Sequence, residues 1–284
     1  VNDKTKPFVS VLIATYNSAG YLRETVASVL TQTFADFELL LIDDGSTDNT
    51  VAVSRELAMK DDRIILLSVP HSGLPAVPFN LGLRTARGVY VAFLGSDDLW
   101  TPNKLADQVH YLKTHPELLF LYGMSFSFGA VHLLSPKYEL LPLPFRFASD
   151  RDGLLRIGNT VPASSVLARL DAIRDVGYYS EDPEINEDYD LWIKLAEKGP
   201  FGFIPRIQVY YRIHDQQISG SWETRARRLD RYAEKTGLTV AKHKAYRNKG
   251  LLFLFVRNSI HFVCKQYAAL LDFIEQQTGK FFYQ

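Results

Sequence analysis

Four groups of residues have the types and spacing to do chemistry. Asp97-Asp98 closes an apolar run at residues 89–94. Adjacent carboxylates at a strand end suit a hard divalent cation, which joins one or two carboxylates to substrate phosphates. The competing reading is a cap for a helix beginning near Pro102. Asp43-Asp44-Gly45-Ser46 closes a second apolar run. A carboxylate there can accept a hydrogen bond from a nucleobase or a ribose, or serve only in a turn and helix cap. Glu187, Asp188 and Asp190 cluster at a predicted helix start. The helix dipole favours acids there on its own account, but a carboxylate within reach of a hydroxyl is also a general base. Arg212 and His214 end a late strand: His214 can ligate a metal or touch phosphate, and Arg212 can pair with a pyrophosphate.

The elements that must position these groups alternate strand and helix. Apolar runs at residues 8–14, 37–42, 63–69 and 89–94 are each followed by a helical pattern, the third being residues 77–86 closed by Gly88. Ser18, and Thr47 or Asp48, stand where they can cap the first two helices. Strands apolar on both faces belong to a parallel sheet covered on both sides. Ligands in such sheets sit beyond the carboxyl ends of the strands, where Thr15-Tyr16-Asn17, Asp43-Asp44 and Asp97-Asp98 gather. Beyond residue 118 the pattern loosens. Strand-like pieces occur at residues 118–128, 164–167, 201–204 and 208–213, and helices at residues 187–198 and 222–278.

Composition narrows the classes. The chain has 284 residues, 32 basic and 32 acidic, with 46% apolar and 13% aromatic residues. That is a globular composition, and zero net charge argues against a basic nucleic-acid binder. Cys264 is the one cysteine, which excludes an intrachain disulfide or a cysteine zinc cluster. No signal-peptide pattern opens the sequence. Residues 118–136 carry no Lys, Arg, Asp or Glu, but Phe126 and Phe128 alternate with serines, the period of a strand rather than a membrane helix. The turn after the first strand lacks the G-x-G-x-x-G of a dinucleotide-binding enzyme, and its single glycine argues against a nucleotidyltransferase loop.

The order of the motifs is more specific than any one of them. Residues 9–17 (Val-Ser-Val-Leu-Ile-Ala-Thr-Tyr-Asn), Ser28-Val29-Leu30-Thr31-Gln32-Thr33-Phe34, Asp43-Asp44-Gly45-Ser46-Thr47-Asp48, Asn80-Leu81-Gly82 and Ser96-Asp97-Asp98 resemble the inverting family 2 glycosyltransferases. Glu187-Asp188-Tyr189-Asp190-Leu191-Trp192 and Tyr211-Arg212-Ile213-His214 resemble the same family's acceptor half. The resemblance implies an α/β fold of GT-A type: a Rossmann-like, mostly parallel sheet flanked by helices. It implies a glycosyltransferase domain at residues 1–219, with residues 1–115 the nucleotide-sugar donor half and 116–219 the acceptor half. Residues 220–284 are expected to form a C-terminal helical extension.

Site roles are carried over with the resemblance. Thr15, Tyr16, Asn17, Asp43, Asp44, Ser96 and Asp97 line the nucleotide pocket; Asp97, Asp98 and His214 stand at the metal, Mn²⁺ or Mg²⁺; Asp188, with Glu187 beside it, is the catalytic base. The implied partners are a nucleotide-diphospho-sugar, with UDP favoured, and a glycan or lipid-linked acceptor of surface polysaccharide or glycolipid synthesis. Two positions depart from the family pattern. Gly95 stands where many members have a further Asp, and Pro78-Phe79-Asn80 where many have Ala-Arg-Asn. Arg84, Arg87 and Arg212 are the candidate replacements for that missing cation. The departures also motivate an alternative, a non-catalytic sugar-nucleotide or glycan binding protein on the same fold.

Phe253, Val256, Ile260, Val263, Tyr267, Leu270 and Ile274 form one apolar stripe, and residues 240–271 hold six Lys or Arg and no acid. Such a helix can pack on the catalytic domain, join two copies, or meet anionic lipid. The localisation expected is cytoplasmic, with these helices as the contact to the inner face of a membrane.

Overall fold

The computed structural model describes residues 6–129, 150–215, 217 and 222–238. The apolar stripe at residues 253–274 and the Pro-rich stretch at residues 136–149 lie outside them. Strands β1 (Val9–Thr15), β2 (Phe37–Asp43), β3 (Ile64–Ser68) and β4 (Tyr90–Gly95) alternate with helices α1 (Leu22–Leu30), α2 (Thr50–Ala58) and α3 (Ala76–Thr85). These four strands are parallel, in the order β3-β2-β1-β4. The chain reverses its direction of winding at β1/β4, so the crevice beyond Thr15 and Gly95 is where a ligand belongs.

The second half extends the same sheet with mixed polarity. β7 (Leu167–Arg169) pairs antiparallel with β4, β6 (Phe120–Gly129) antiparallel with β7, and β8 (Phe201–Ile213) parallel with β6. β5 (Leu99–Trp100), invisible to periodicity at two residues, closes the edge against β8. Helices α4 (Lys104–Thr114), α5 (Arg151–Ile157), α6 (Leu170–Asp175), α7 (Glu187–Lys198) and α8 (Trp222–Thr236) complete the described elements.

Alternation decides the two faces. Leu12, Leu40, Ile42, Val91 and Phe93 point into a core shared with α3, α6 and α7. Val11, Ile13, Leu39, Leu41, Ala92 and Leu94 point into a core shared with α1, α2 and α4. Trp192 of α7 is fully buried against Phe93 and Phe120, with ring centroids 6.1 and 5.5 Å away. That anchor fixes the helix whose first turn carries Glu187 and Asp188. α8 docks on the same helix: Tyr232 is buried beside Tyr189, and Lys235 pairs with Asp182 and Glu184. α8 is thus packed onto α7 and the segment just before it.

Several expected caps take other forms. The α1 N-cap is Tyr21, without a side-chain cap; the Ser18 hydroxyl instead meets that of Ser96 at 2.7 Å. Asp48 does receive the Thr50 N–H at the start of α2, at 2.9 Å. α4 starts after Asn103 rather than from an Asp97 or Asp98 cap. Residues 163–165 form a 3-10 turn, and the strand begins only at Leu167.

Gly88 follows α3 but is not a left-handed helix cap; Ala86 closes the helix in extended backbone. A Cβ at Gly88 would lie 2.6 Å from the Ser10 amide nitrogen and 2.7 Å from the Tyr90 carbonyl oxygen. Both are strand backbone and cannot rotate away. Gly88→Ala is therefore expected to destabilise the protein by about 1–3 kcal/mol, the usual cost of overpacking. Urea denaturation checks this, and an unchanged midpoint would count against the close approach.

Candidate active site

The end of β4 turns through Gly95-Ser96-Asp97-Asp98, and the two acids diverge. Asp98 is 2% exposed and both its oxygens are engaged. Oδ2 accepts the Ser164 hydroxyl at 2.6 Å, and Oδ1 accepts the Arg212 backbone N–H at 3.0 Å. Burial, and then the charge of Asp97, pushes its carboxyl up to about 8, against the opposing pull of these hydrogen bonds. Asp97 is partly exposed, and its Oδ2 lies 2.8 Å from His214 Nε2. The His214 ring in turn packs on Tyr21, centroids 4.7 Å apart.

Asp97 and His214 are a carboxylate oxygen and an imidazole nitrogen facing each other beyond the end of β4. That donor set fits Mn²⁺ or Mg²⁺ if substrate phosphates complete the sphere, because two protein ligands do not fill it. Among the described residues no group of three His, Cys, Asp or Glu side chains could hold a metal. Asp98 is turned inward, so of the three predicted metal ligands Asp97 and His214 face each other while Asp98 supports their turn. A Cβ at Gly95 would lie 2.9 Å from Asp97 Oδ1 and 3.0 Å from Asp98 Oδ2, so glycine leaves that space to the two carboxylates.

The three candidate arginines separate cleanly. Arg84 lies over the Tyr178 ring, and Arg87 pairs with Glu38 on β2 beside Gly88, at the opposite end of the strands. Arg212 alone of the three is at the acidic turn. Its Nε donates to the Asp97 carbonyl at 2.7 Å, its Nη2 pairs with Glu24 at 2.7 Å, and its guanidinium lies over Tyr21 and Phe128.

At the ends of β1 and β2 most predicted pocket residues hold one another. The Thr15 hydroxyl lies 3.4 Å from Asp43 Oδ1, and Asp43 Oδ2 accepts the Ser46 N–H at 3.0 Å. Asn17 has a left-handed backbone, φ 48°, a conformation Asn tolerates better than most residues. Its Oδ1 accepts the N–H groups of Thr47 and Asp48 at 2.8 and 3.3 Å. Asp44 is buried: Oδ1 takes the Ser72 N–H and hydroxyl at 3.0 and 2.9 Å, and Oδ2 lies 3.0 Å from His71 Nδ1. His71 stacks on the exposed ring of Tyr16, centroids 3.9 Å apart and 12° between planes. Tyr16 and His71 thus form an aromatic platform beside Asp44, of the kind a nucleobase stacks on. Ser96 sits between the two regions, its carbonyl accepting the Thr25 hydroxyl at 3.0 Å.

Asp188 stands in the first turn of α7. Its Oδ1 accepts Asn159 Nδ2 at 3.0 Å and the Tyr189 N–H at 2.6 Å. Glu187 is mostly buried, and burial raises its carboxyl above the usual range, opposed in part by the charge of Arg228. Glu187 and Arg228 line a small cleft with Leu74, Pro75 and Ile185, and Asp188 adjoins it in sequence. Asp190, the third acid of the cluster, is turned away and paired with Lys194.

His71, Ser72, Asn159, Ser164, Tyr21 and Arg228 carry no motif signal of their own. His71-Ser72 directly before Gly73 is the one local hint, a polar turn between a strand and a helix.

Comparison with known proteins gives the family and the fold. The model of Glycosyl transferase family 2 matches residues 10–173, more than half of the chain. The Escherichia coli UDP-Glc:alpha-D-GlcNAc-diphosphoundecaprenol beta-1,3-glucosyltransferase WfaP is 29% identical over 75% of this chain and 80% of its own. The putative teichuronic acid biosynthesis glycosyltransferase TuaG of Bacillus subtilis is 28% identical over 77% of this chain and 84% of its own. Two solved structures share the fold. S. aureus TarS 1-349 with UDP-GlcNAc superposes with a TM-score of 0.60 at 21% identity, over 74% of this chain and 59% of that chain. The mannosyltransferase PcManGT of Pyrobaculum calidifontis, with GDP-Man and Mn²⁺, gives 0.63 at 18% identity, over 99% and 83%. With its strand-end acids in place and more than half of its length matched by the family model, this chain belongs to glycosyltransferase family 2.

Proposed function

We propose that this glycosyltransferase moves a hexose, with inversion, from a UDP-sugar to an acceptor hydroxyl, and that it needs a divalent cation. The observation that carries the reading is the pairing of Asp97 with His214 at the end of β4, linked through residues 159–166 to Asp188 at the start of α7. Tyr16 and His71 offer a face for the base, and Asp44 stands beside it. WfaP, named for UDP-Glc, supports the choice of uridine.

Each side chain has a step. Asp188 accepts the proton of the acceptor hydroxyl as its oxygen bonds to the anomeric carbon. The bond from that carbon to the diphosphate breaks with the electron pair leaving on phosphate oxygen. Asn159 holds the Asp188 carboxylate in place, and the cleft lined by Leu74, Pro75, Ile185, Glu187 and Arg228 receives sugar next to it. Asp97 and His214 would hold Mn²⁺ or Mg²⁺, which when bound neutralises charge on the leaving diphosphate. The acceptor proposed is lipid-linked, as in the substrate that WfaP is named for, and the setting proposed is the inner face of a membrane. Among the described residues no helix is long and apolar enough to cross one.

Calorimetric titration with UDP, GDP and dTDP, each with and without Mn²⁺, tests the donor site. UDP is expected to bind best, and Mn²⁺ to tighten it by at least about tenfold, some 1.4 kcal/mol. Preference for GDP or dTDP would overturn the uridine assignment. Indifference to Mn²⁺ would overturn the cation site.

A further inference from the structure

A single stretch of chain, residues 159–166, reaches both ends of the site. Asn159 Nδ2 donates to Asp188 at 3.0 Å. Five residues later the Ser164 hydroxyl donates to Asp98 Oδ2 at 2.6 Å and accepts the Gly95 N–H at 3.1 Å. Ser164 lies in the turn Ala163–Ser165, and that turn is fixed from below by β5 and α4. Trp100 Nε1 donates to the Ser164 carbonyl at 2.8 Å, Gln108 Nε2 to the Ser165 carbonyl at 2.7 Å, and Lys104 Nζ to the Val166 carbonyl at 3.3 Å. The Ser165 hydroxyl closes the turn on the Pro162 carbonyl at 2.8 Å and accepts the Gly123 N–H at 3.2 Å. Lys104 is fully buried over the Trp100 ring, 4.0 Å from its centroid, and has no ion pair among the described residues. Burying an amine without a carboxylate costs stability. A turn held this way is a rigid mount.

Asp98 connects the mount to the donor site. Its second oxygen holds the Arg212 amide, two residues before His214 on the same strand end, and Asp97 precedes it on the β4 turn. Displacing the Asp98 carboxylate therefore shifts Asp97 and His214 together. We propose that Ser164 is a positioning residue for the donor site, setting through Asp98 the facing geometry of Asp97 and His214 at a fixed place relative to Asp188. The proposal rests on the donor-site reading above.

The test is calorimetry of UDP with and without Mn²⁺ on the full chain, comparing wild type with Ser164→Ala, Ser164→Thr and Asn159→Ala. Loss of a residue that orients a metal ligand typically costs 10–100-fold in affinity. Ser164→Ala is expected to weaken UDP binding in Mn²⁺ by about tenfold and to leave metal-free UDP binding as it was. Ser164→Thr, which keeps the hydroxyl, is expected to restore most of the loss. Asn159→Ala, at the other end of the same segment, is expected to keep the Mn²⁺ response and to slow hydrolysis of UDP-glucose. A Ser164→Ala protein with the full Mn²⁺ response overturns the proposal. So does an equal loss with and without Mn²⁺, or a threonine variant as weak as alanine, since those mark a merely structural serine. A wild type indifferent to Mn²⁺ overturns the donor-site reading itself, and is seen before any variant is compared.

Discussion

Asp188→Asn is expected to cut sugar transfer by about 10²–10⁴, the range a positioned general base contributes, while UDP binding in Mn²⁺ is unchanged. The substitution removes basicity and little else. An asparagine oxygen at this position can still accept from Asn159 Nδ2 and from the Tyr189 N–H, two of the bonds that now orient the carboxylate. Trp192 and Tyr189 keep α7 seated in the core whatever residue 188 is. Hydrolysis of UDP-glucose is expected to fall with transfer, because water needs the same base. Glu187 does not offer an easy substitute: burial raises its carboxyl, which makes it harder to ionise than an ordinary glutamate. Transfer near the wild-type rate in the variant would remove Asp188 from the mechanism and return attention to Glu187.

The first half of the fold is legible in the sequence because its signals are local. Four apolar runs, each followed by a 3.6-residue period, place β1 to β4 and α1 to α4 to within a few residues. The second half is held by contacts that no window contains. β7 is three residues long and exists because β4 and β6 flank it. Residues 201–204 and 208–213 read as two strands because Pro205 interrupts them. They form one strand, β8, whose register against β6 shifts between Gly123 and Ser125 and leaves Pro205 unpaired. Gly88 is readable as the end of a helix, but its purpose is a backbone crossing with Ser10, residue 88 against residue 10.

The site divides in the same way. Carboxylates and the late histidine stand out by type and by their positions at strand ends or a helix start, so Asp97, Asp188 and His214 are candidates the sequence already offers. Their partners are not. Ser164 is an ordinary serine until folding brings it across 66 positions to Asp98, and Asn159 meets Asp188 across 29. Sequence also treats Asp97 and Asp98 alike. The turn after β4 sends the two side chains different ways, so Asp97 stays partly exposed beside His214 while Asp98 is buried against Ser164 and the Arg212 N–H.

That difference between neighbours is the basis of the second large effect. Asp97→Ala is expected to weaken UDP binding in Mn²⁺ by more than about 100-fold, beyond the 10–100-fold typical of residues that only support a ligand. It removes the carboxylate of the Asp97–His214 pair from a partly exposed position, and the melting temperature is expected to move little. Asp98→Ala makes the contrasting case. It strands the Ser164 hydroxyl and the Arg212 N–H in a buried site, and each lost partner costs about 1–3 kcal/mol. Its first consequence is therefore a lower unfolding midpoint, and its loss of cation response follows from disorder in the turn. Asp98→Asn keeps one acceptor oxygen and the shape of the carboxylate, so it separates charge from support. The asparagine variant is expected to retain most of the stability and most of the Mn²⁺ response. If instead Asp98→Asn abolishes that response in a protein that melts normally, while Asp97→Ala keeps it, then Asp98 is the metal ligand. The inward geometry would then have to open when the nucleotide binds.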